Sequence, residues 1–300
     1  MSLHGYLIIN KEAGMGSTTV VSAVKRILRP LLPKHHKVGH GGTLDPLATG
    51  VLPIALGEAT KTISYILDGD KEYEFTVTWG TQTTTDDSAG TAMYTSDVRP
   101  TPDAVNAALP SFTGLILQTP PAFSALKVDG ERAYDLARKG EAVELAPREV
   151  CIHRLTYIDS PTPDTARFSV HCSKGTYVRA LARDLALKLG TYGHISALNR
   201  TRSGPFALNS AISLEKLQES VHNSAAHQVL LSLMTALADI PALAVSKIEA
   251  QRLRHGQELM NIMARNYPSG TVLLVTAESQ PVALVAANDM ALTPVRVFNI

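Results

Sequence analysis

Apolar and polar positions along this chain repeat with two different periods, and the switches between them outline its elements. Residues 5–10 (GYLIIN) are a short apolar run closed by the turn-rich stretch Lys11 to Gly16, which predicts a strand. Val20, Val21, Val24, Ile27 and Leu28 then recur at helical spacing behind the N-cap candidates Ser17, Thr18 and Thr19, and Pro30 and Pro33 end that helix. Residues 71–79 (KEYEFTVTW) alternate cleanly, with Tyr73, Phe75, Val77 and Trp79 on one face of a half-buried strand. Phe168, Val170 and Cys172 alternate with polar residues in the same way, and Lys174-Gly175 turns the chain into a helix beginning around Tyr177 to Arg179. Pro102 to Leu109 reads as a short helix and Leu214 to Leu237 as an amphipathic one. After Pro241 the pattern is of short strands around one helix, Ile248 to Gly256, and residues 269–288 read as two strands about a turn. The expected fold class is α+β: a mixed, largely antiparallel sheet flanked by helices over residues 1–240, and a small C-terminal β domain over 241–300.

Composition narrows the picture. Three hundred residues with 45% hydrophobic and 18% charged content suit a water-soluble protein with a real core. The two cysteines have no metal-type spacing, and the N-terminus has neither a charged n-region nor a long apolar h-region, so a cytoplasmic protein with reduced thiols is expected. No run of about twenty apolar residues is present, so no membrane association is expected. A net charge of +1 is weak for a nucleic-acid binder, and any RNA surface must come from local clustering. One such cluster exists: residues 25–37 (KRILRPLLPKHHK) hold Lys25, Arg26, Arg29, Lys34 and Lys37 with no acid. Clustered cations displace counterions from a phosphate backbone, although a solvated helix end would look the same.

The cluster leads into residues 39–61, GHGGTLDPLATGVLPIALGEATK. Asp45 sits there between Gly41-Gly42-Thr43 and Pro46, with the apolar run Val51 to Leu56 behind it. Glycine allows unusual backbone angles and close approach, and proline biases the residue before it away from helix. A carboxylate on a rigid loop over a packed scaffold is a candidate catalytic group, but an isolated Asp before Pro is also an ordinary turn residue. Elsewhere the chain excludes several chemistries. GxxxxGK[ST] is absent, and no dinucleotide fingerprint is completed. His35, His36 and His40 lack further ligands at suitable spacing, so no metal site is expected. An aspartate hydrolase would need a partner carboxylate or a metal motif, and neither is evident.

Residues 39–61 resemble the catalytic motif of the TruB family of tRNA pseudouridine synthases over more than twenty consecutive positions, with Gly41 standing where many members carry Thr. Three further stretches resemble the same family. One is SALKVDGERAYDLARKG within residues 119–150; the others are FSVHCSKGTYVR at 168–179 and GTYGHISALNRTRSGPF at 190–206. The polar loop at 80–90 is also similar, with Thr84 where Asp is frequent; Asp86 and Asp87 are given no catalytic role. The resemblance implies isomerisation of uridine to pseudouridine at the T-loop position 55 of tRNA, with the target base flipped out and no cofactor. It implies that Asp45 is the catalytic nucleophile or base, that Arg179 pairs with it and keeps it ionised, and that Tyr73 packs on the base. Without the resemblance, Tyr73 reads as core packing and Arg179 as a partner of Asp184. Leu198 would line the uracil pocket, with His40 and Tyr177 beside it. Lys127, Arg132 and Arg138, on an insertion over about 119–150 that would close over the tRNA, are candidate RNA-backbone contacts, as are Arg200 and Arg202. Residues 241–300 resemble the RNA-binding PUA barrel. The expected partner is the tRNA T-arm, met by a monomer that needs no protein partner. The competing readings are a non-catalytic tRNA-binding or tRNA-folding protein on the same scaffold, and a guide-RNA-dependent relative, which usually carries longer charged extensions.

Overall fold

The computed structural model describes residues 3–124, 126–128, 130–139 and 145–300; within 127–138 it describes the backbone but not the side chains of 127, 128, 132, 135, 137 and 138. The N-terminal half runs β1 (Gly5–Lys11), α1 (Ser17–Leu28), β2 (Val38–His40), β3 (Thr49–Leu56), α2 (Ile63–Asp68), β4 (Lys71–Trp79), β5 (Thr81–Thr83), β6 (Ala92–Thr95), α3 (Pro102–Ala108) and β7 (Gly114–Gln118). The insertion holds β8 (Lys127–Val128), β9 (Glu131–Arg132) and α4 (Ala133–Arg138). There follow β10 (Arg148–Thr162), β11 (Thr165–Cys172), α5 (Val178–Lys188), β12 (Gly193–Ser203), β13 (Phe206–Ala207) and α6 (Leu214–His222). The chain closes with β14 (Ala242–Ala244), α7 (Lys247–Arg254), β15 (Leu259–Met260), β16 (Thr271–Ala277), β17 (Gln280–Asn288) and β18 (Ala291–Val297).

One nine-stranded sheet carries the molecule, in the order β1-β3-β12-β4-β11-β10-β7, with β13 added to β12 and β2 to β3. Every pairing in it is antiparallel except β12 with β3. The mixed, largely antiparallel sheet is therefore as expected. Strand alternation explains its two cores. Leu7 and Ile9 of β1 point to the face where Leu52 and Ile54 of β3, Phe75 and Val77 of β4, the apolar stripe of α1, and Leu181 and Leu185 of α5 meet. Tyr6 and Ile8 point the other way, onto Leu233, Leu237, Leu274, Leu284 and Phe298. Each fully buried aliphatic side chain contributes roughly 1.5–3 kcal/mol, enough to fix which face of each strand turns inward.

The C-terminal residues form a separate five-stranded sheet, β14-β16-β17-β18-β15, over a core of Leu253, Val275, Val285 and Leu292. It is tied to the body by Lys61 Nζ donating to the Val297 carbonyl (2.7 Å) and by Asn299 N donating to Glu58 Oε2 (2.9 Å). Helix α7 starts on a capping box of Ser246 and Glu249, a better-defined start than its apolar spacing alone predicts. One element differs from expectation. The helix predicted over 214–237 stops at His222, where Ser224 takes a φ of +57°, and the rest is two single 3-10 turns. Apolar spacing persists beyond the break, but a positive φ at Ser224 cannot continue a right-handed helix. Among the described residues, no helix is long and apolar enough to cross a membrane.

Candidate active site

Asp45 lies on the loop between β2 and β3, and that loop is held from below at nearly every backbone position. Ser17 Oγ at the start of α1 donates to the Leu44 carbonyl (3.0 Å) and accepts from Leu44 N (2.8 Å). Lys11 Nζ donates to the Pro46 carbonyl (3.1 Å), as does Gly14 N (2.8 Å). Ala48 N closes a turn on the Asp45 carbonyl (3.0 Å). From the other side Arg200 of β12, 2% exposed, donates to the carbonyls of Gly42 (3.2 Å), Thr43 (3.3 Å) and Val51 (2.8 Å). Gly42 itself has a φ of +121°, which a residue with a side chain rarely adopts. Gly50 (φ +98°) is required for closeness: a Cβ there would stand 2.3 Å from the Arg200 carbonyl, where β3 and β12 run parallel.

The carboxylate is met by one guanidinium. Arg179, the second residue of α5, places Nε 2.9 Å from Asp45 Oδ2 and Nη2 3.3 Å from Oδ1, a two-pronged grip. The arginine is 5% exposed and the aspartate side chain 35% exposed. Arg179 is itself fixed, donating to the carbonyls of Thr85 (2.9 Å) and Phe123 (3.0 Å), with Asp87 Oδ2 at 3.9 Å. Asp184 is paired with Arg183 instead, so the local alternative for Arg179 does not occur.

A cavity of about 490 Å³ opens above this pair, and Asp45, Tyr73, Tyr177, Arg179, Leu198 and Arg200 all line it. Tyr73 stands on β4 directly opposite Arg200 of β12. Burial raises its hydroxyl pKa, and the Arg200 guanidinium opposes the rise. Burial likewise raises Tyr177, opposed chiefly by Ser124. Both hydroxyls therefore keep their protons near neutrality. Leu198, 7% exposed, adds the apolar wall. Lys71, which sequence reasoning passed over, is also in the lining. It caps the end of α2 by donating to the carbonyls of Ile66 (3.1 Å), Leu67 (2.6 Å) and Gly69, and burial pushes its pKa down to about 8.

The remaining expected residues divide. His40 is set back from the cavity lining; among the described residues its buried Nδ1 has no hydrogen-bond partner, and burial, reinforced by Arg200, lowers its pKa. Arg200, expected among the phosphate contacts, is instead buried with its guanidinium engaged by loop carbonyls. Arg202 projects half-exposed, with Glu72 Oε1 at 3.9 Å. The side chains of Lys127, Arg132 and Arg138 lie outside the described residues. The cations Lys25, Arg26, Arg29, Lys34 and Lys37 are exposed at the end of α1 and beyond it.

A second arginine on the same helix was missed. Arg183 pairs with Asp86 Oδ2 (3.0 Å) and Asp184 (2.8 Å), and donates to the Thr119 carbonyl (2.8 Å). Its position one helical turn after Arg179 is the signal that could have found it.

Comparisons with known proteins identify the family. The pattern described as "TruB family pseudouridylate synthase (N terminal domain)" matches residues 25–178, and "tRNA pseudouridylate synthase B C-terminal domain" matches 179–238. The chain belongs to the TruB family of pseudouridylate synthases. It is 51% identical to "tRNA pseudouridine synthase B" of Zymomonas mobilis, over 99% of this chain and 97% of that one. It is 50% identical to the protein of that name from Bradyrhizobium diazoefficiens, over 99% and 86%. The fold is shared with "Structure of H/ACA RNP bound to a substrate RNA containing 2'-deoxyuridine", at a TM-score of 0.75 and 23% identity over 99% of this chain and 86% of that one.

Proposed function

We propose that this chain isomerises uridine to pseudouridine in tRNA, at the T-loop position 55, with Asp45 as the acting group. The observation that carries the reading is the Asp45–Arg179 pair at 2.9 Å under an open cavity large enough for a nucleobase. The reaction breaks the N1–C1′ bond of the uridine and forms a C5–C1′ bond; the C5 proton is lost and N1 gains one. The uracil is both leaving group and returning nucleophile, so no cofactor is required. Asp45 starts it either by attack on the sugar or by removing the C2′ proton, and both need an accessible, ionised carboxylate. Arg179 orients that carboxylate through its two-pronged contact.

A base inside a folded RNA has to leave its stack to reach the cavity. Tyr73 stacks on the extruded uracil, Leu198 and Tyr177 bound its pocket, and His40 supports the loop from behind. Exposed Lys25, Arg26, Arg29, Lys34, Lys37 and Arg202 offer charge to the RNA backbone, with Lys127, Arg132 and Arg138 assigned the same task on the insertion. Residues 241–300 act as a PUA-like RNA-binding unit beside a catalytic domain of 1–240. The enzyme works in the cytoplasm as a monomer, without a guide RNA or protein partner.

The test is tritium release from tRNA transcript labelled with [5-³H]uridine, with the modified position mapped and Asp45→Ala run beside the wild type. Release from position 55, abolished in the variant, is the expected result. Tight tRNA binding without release, equal in both proteins, would replace this reading with that of a non-catalytic tRNA-binding protein.

A further inference from the structure

Outside the cavity, three metal-ligating side chains converge on the sheet. Asp70 immediately precedes β4, His171 lies on β11 and His153 on β10, three neighbouring strands. The pairing of β10 with β11 shifts register between Ile152 and Arg154, so His153 is the extra residue of a bulge. Bulges re-aim a side chain, and this one brings the His153 ring to 4.7 Å from the His171 ring, centroid to centroid. His153 Nε2 stands 3.2 Å and His171 Nε2 3.3 Å from the same oxygen, Asp70 Oδ2, and one donor atom from each of the three side chains lies within 4.8 Å of the others.

We propose that Asp70, His153 and His171 form a binding site for a borderline divalent transition ion of the Zn²⁺ type. Two imidazoles and a carboxylate are a donor set for such ions, with a fourth position left to water. The spacing fits as well as the chemistry. Bonds of about 2.0–2.1 Å in a tetrahedron put neighbouring donors about 3.3 Å apart, which is the separation of each imidazole nitrogen from Asp70 Oδ2. The outer face of one ring is also engaged: Cys151 Sγ is 3.6 Å from His153 Nδ1, a contact that can fix the tautomer leaving Nε2 free for the ion. The side chains are 47% (Asp70), 38% (His153) and 31% (His171) exposed, so an ion reaches them from solvent without unfolding. None of the three lines the cavity, so the ion is structural. It staples β10, the strand that follows the insertion, to β11 and β4. Sequence spacing conceals the site, because the ligands come from three separate segments and one of them depends on a bulge.

The test is calorimetric titration of the chelator-treated full chain with ZnCl₂, beside the double variant His153→Ala/His171→Ala and Asp70→Asn. The expected result is one Zn²⁺ per chain, with affinity reduced at least about tenfold by Asp70→Asn and about a hundredfold by the double variant. Zn²⁺ should raise the melting temperature of the wild type and leave that of the double variant unmoved. Co²⁺ should give the intense visible bands of a tetrahedral site in the wild type alone. Absence of saturable uptake by the wild type, or uptake and thermal shift equal in the double variant, overturns the proposal. Turnover of tRNA should be the same with and without Zn²⁺, so loss of the catalytic reading would leave this result standing, and the reverse.

Discussion

Helix α5 carries two arginines one turn apart, each gripping a carboxylate delivered by a distant loop, and the two pairs differ in one respect. In the Asp45–Arg179 pair the arginine is buried and the aspartate side chain is 35% exposed beneath the cavity. In the Asp86–Arg183 pair both are closed off, at 7% and 14%. The same chemical pair thus serves two ends. Where the carboxylate faces open space, the guanidinium fixes its orientation beneath the cavity, as the proposed function requires. Where it is enclosed, the pair joins the 80–90 loop and Thr119 to the helix, and burial raises the Asp86 pKa despite Arg183. Asp86 also has a φ of +55°, an uncommon value for a non-glycine residue, so the closed pair holds a constrained turn in place.

Substitutions can break or sharpen this contrast. The largest effect is expected from Asp45→Ala: a loss of about 10³-fold or more in turnover, with an unchanged melting temperature, measured by tritium release and thermal unfolding. Arg179→Lys keeps the charge but loses the two-pronged geometry, and should lower kcat about 10²-fold while tRNA affinity is retained. Arg200→Met removes two donors to the loop under Asp45 and one to Val51 of β3, and should lower kcat roughly tenfold, with a smaller change in KM; an equal fall in thermal stability and activity would mean that it acts only on folding. Arg183→Met belongs to the closed pair, and should cost about 2 kcal/mol of stability in urea titration, on the low side for a buried pair because Arg183 keeps 14% exposure.

The smallest expected effect is a pH dependence. The folded pKa of Asp86 is raised above its ordinary value of 3.8, so the folded state binds the more protons in the window above that value. The stability this group contributes is therefore full below pH 3.8 and is lost as pH rises through the folded pKa. The stability of wild type relative to Asp86→Asn should fall across that window, and a difference that grows instead would refute the enclosed character of the pair.

Much of this was readable from local sequence. The period-two alternation of residues 71–79 placed Phe75, Val77 and Trp79 in the core, as found. The glycines and proline around Asp45 marked a rigid loop, and the resemblance to a family pointed to its partner Arg179. The helix over 214–237 was over-extended, because apolar spacing does not register the backbone turn at Ser224. Arg200 and Arg202 stand two residues apart in one strand and looked alike, yet the first is 2% exposed and the second has a side chain 47% exposed. The β12–β4 pairing shifts register between them, a feature that strand alternation does not encode.

The sequence by itself determined strands β1, β4, β11, β16 and β17, helices α1, α3, α5 and α7, the face that β4 and β11 turn inward and the loop that holds Asp45, because these follow from the spacing of apolar residues and from the backbone limits of glycine and proline. Only the tertiary structure decided what each polar group meets. Asp45 and Arg179 are 134 residues apart, and Arg200 reaches Gly42 across 158. Which carboxylate faces a cavity and which is sealed depends on how the loops at the sheet's end pack over α5. That is settled by strand order, register and bulges, which arise from contacts between segments and not within any one of them.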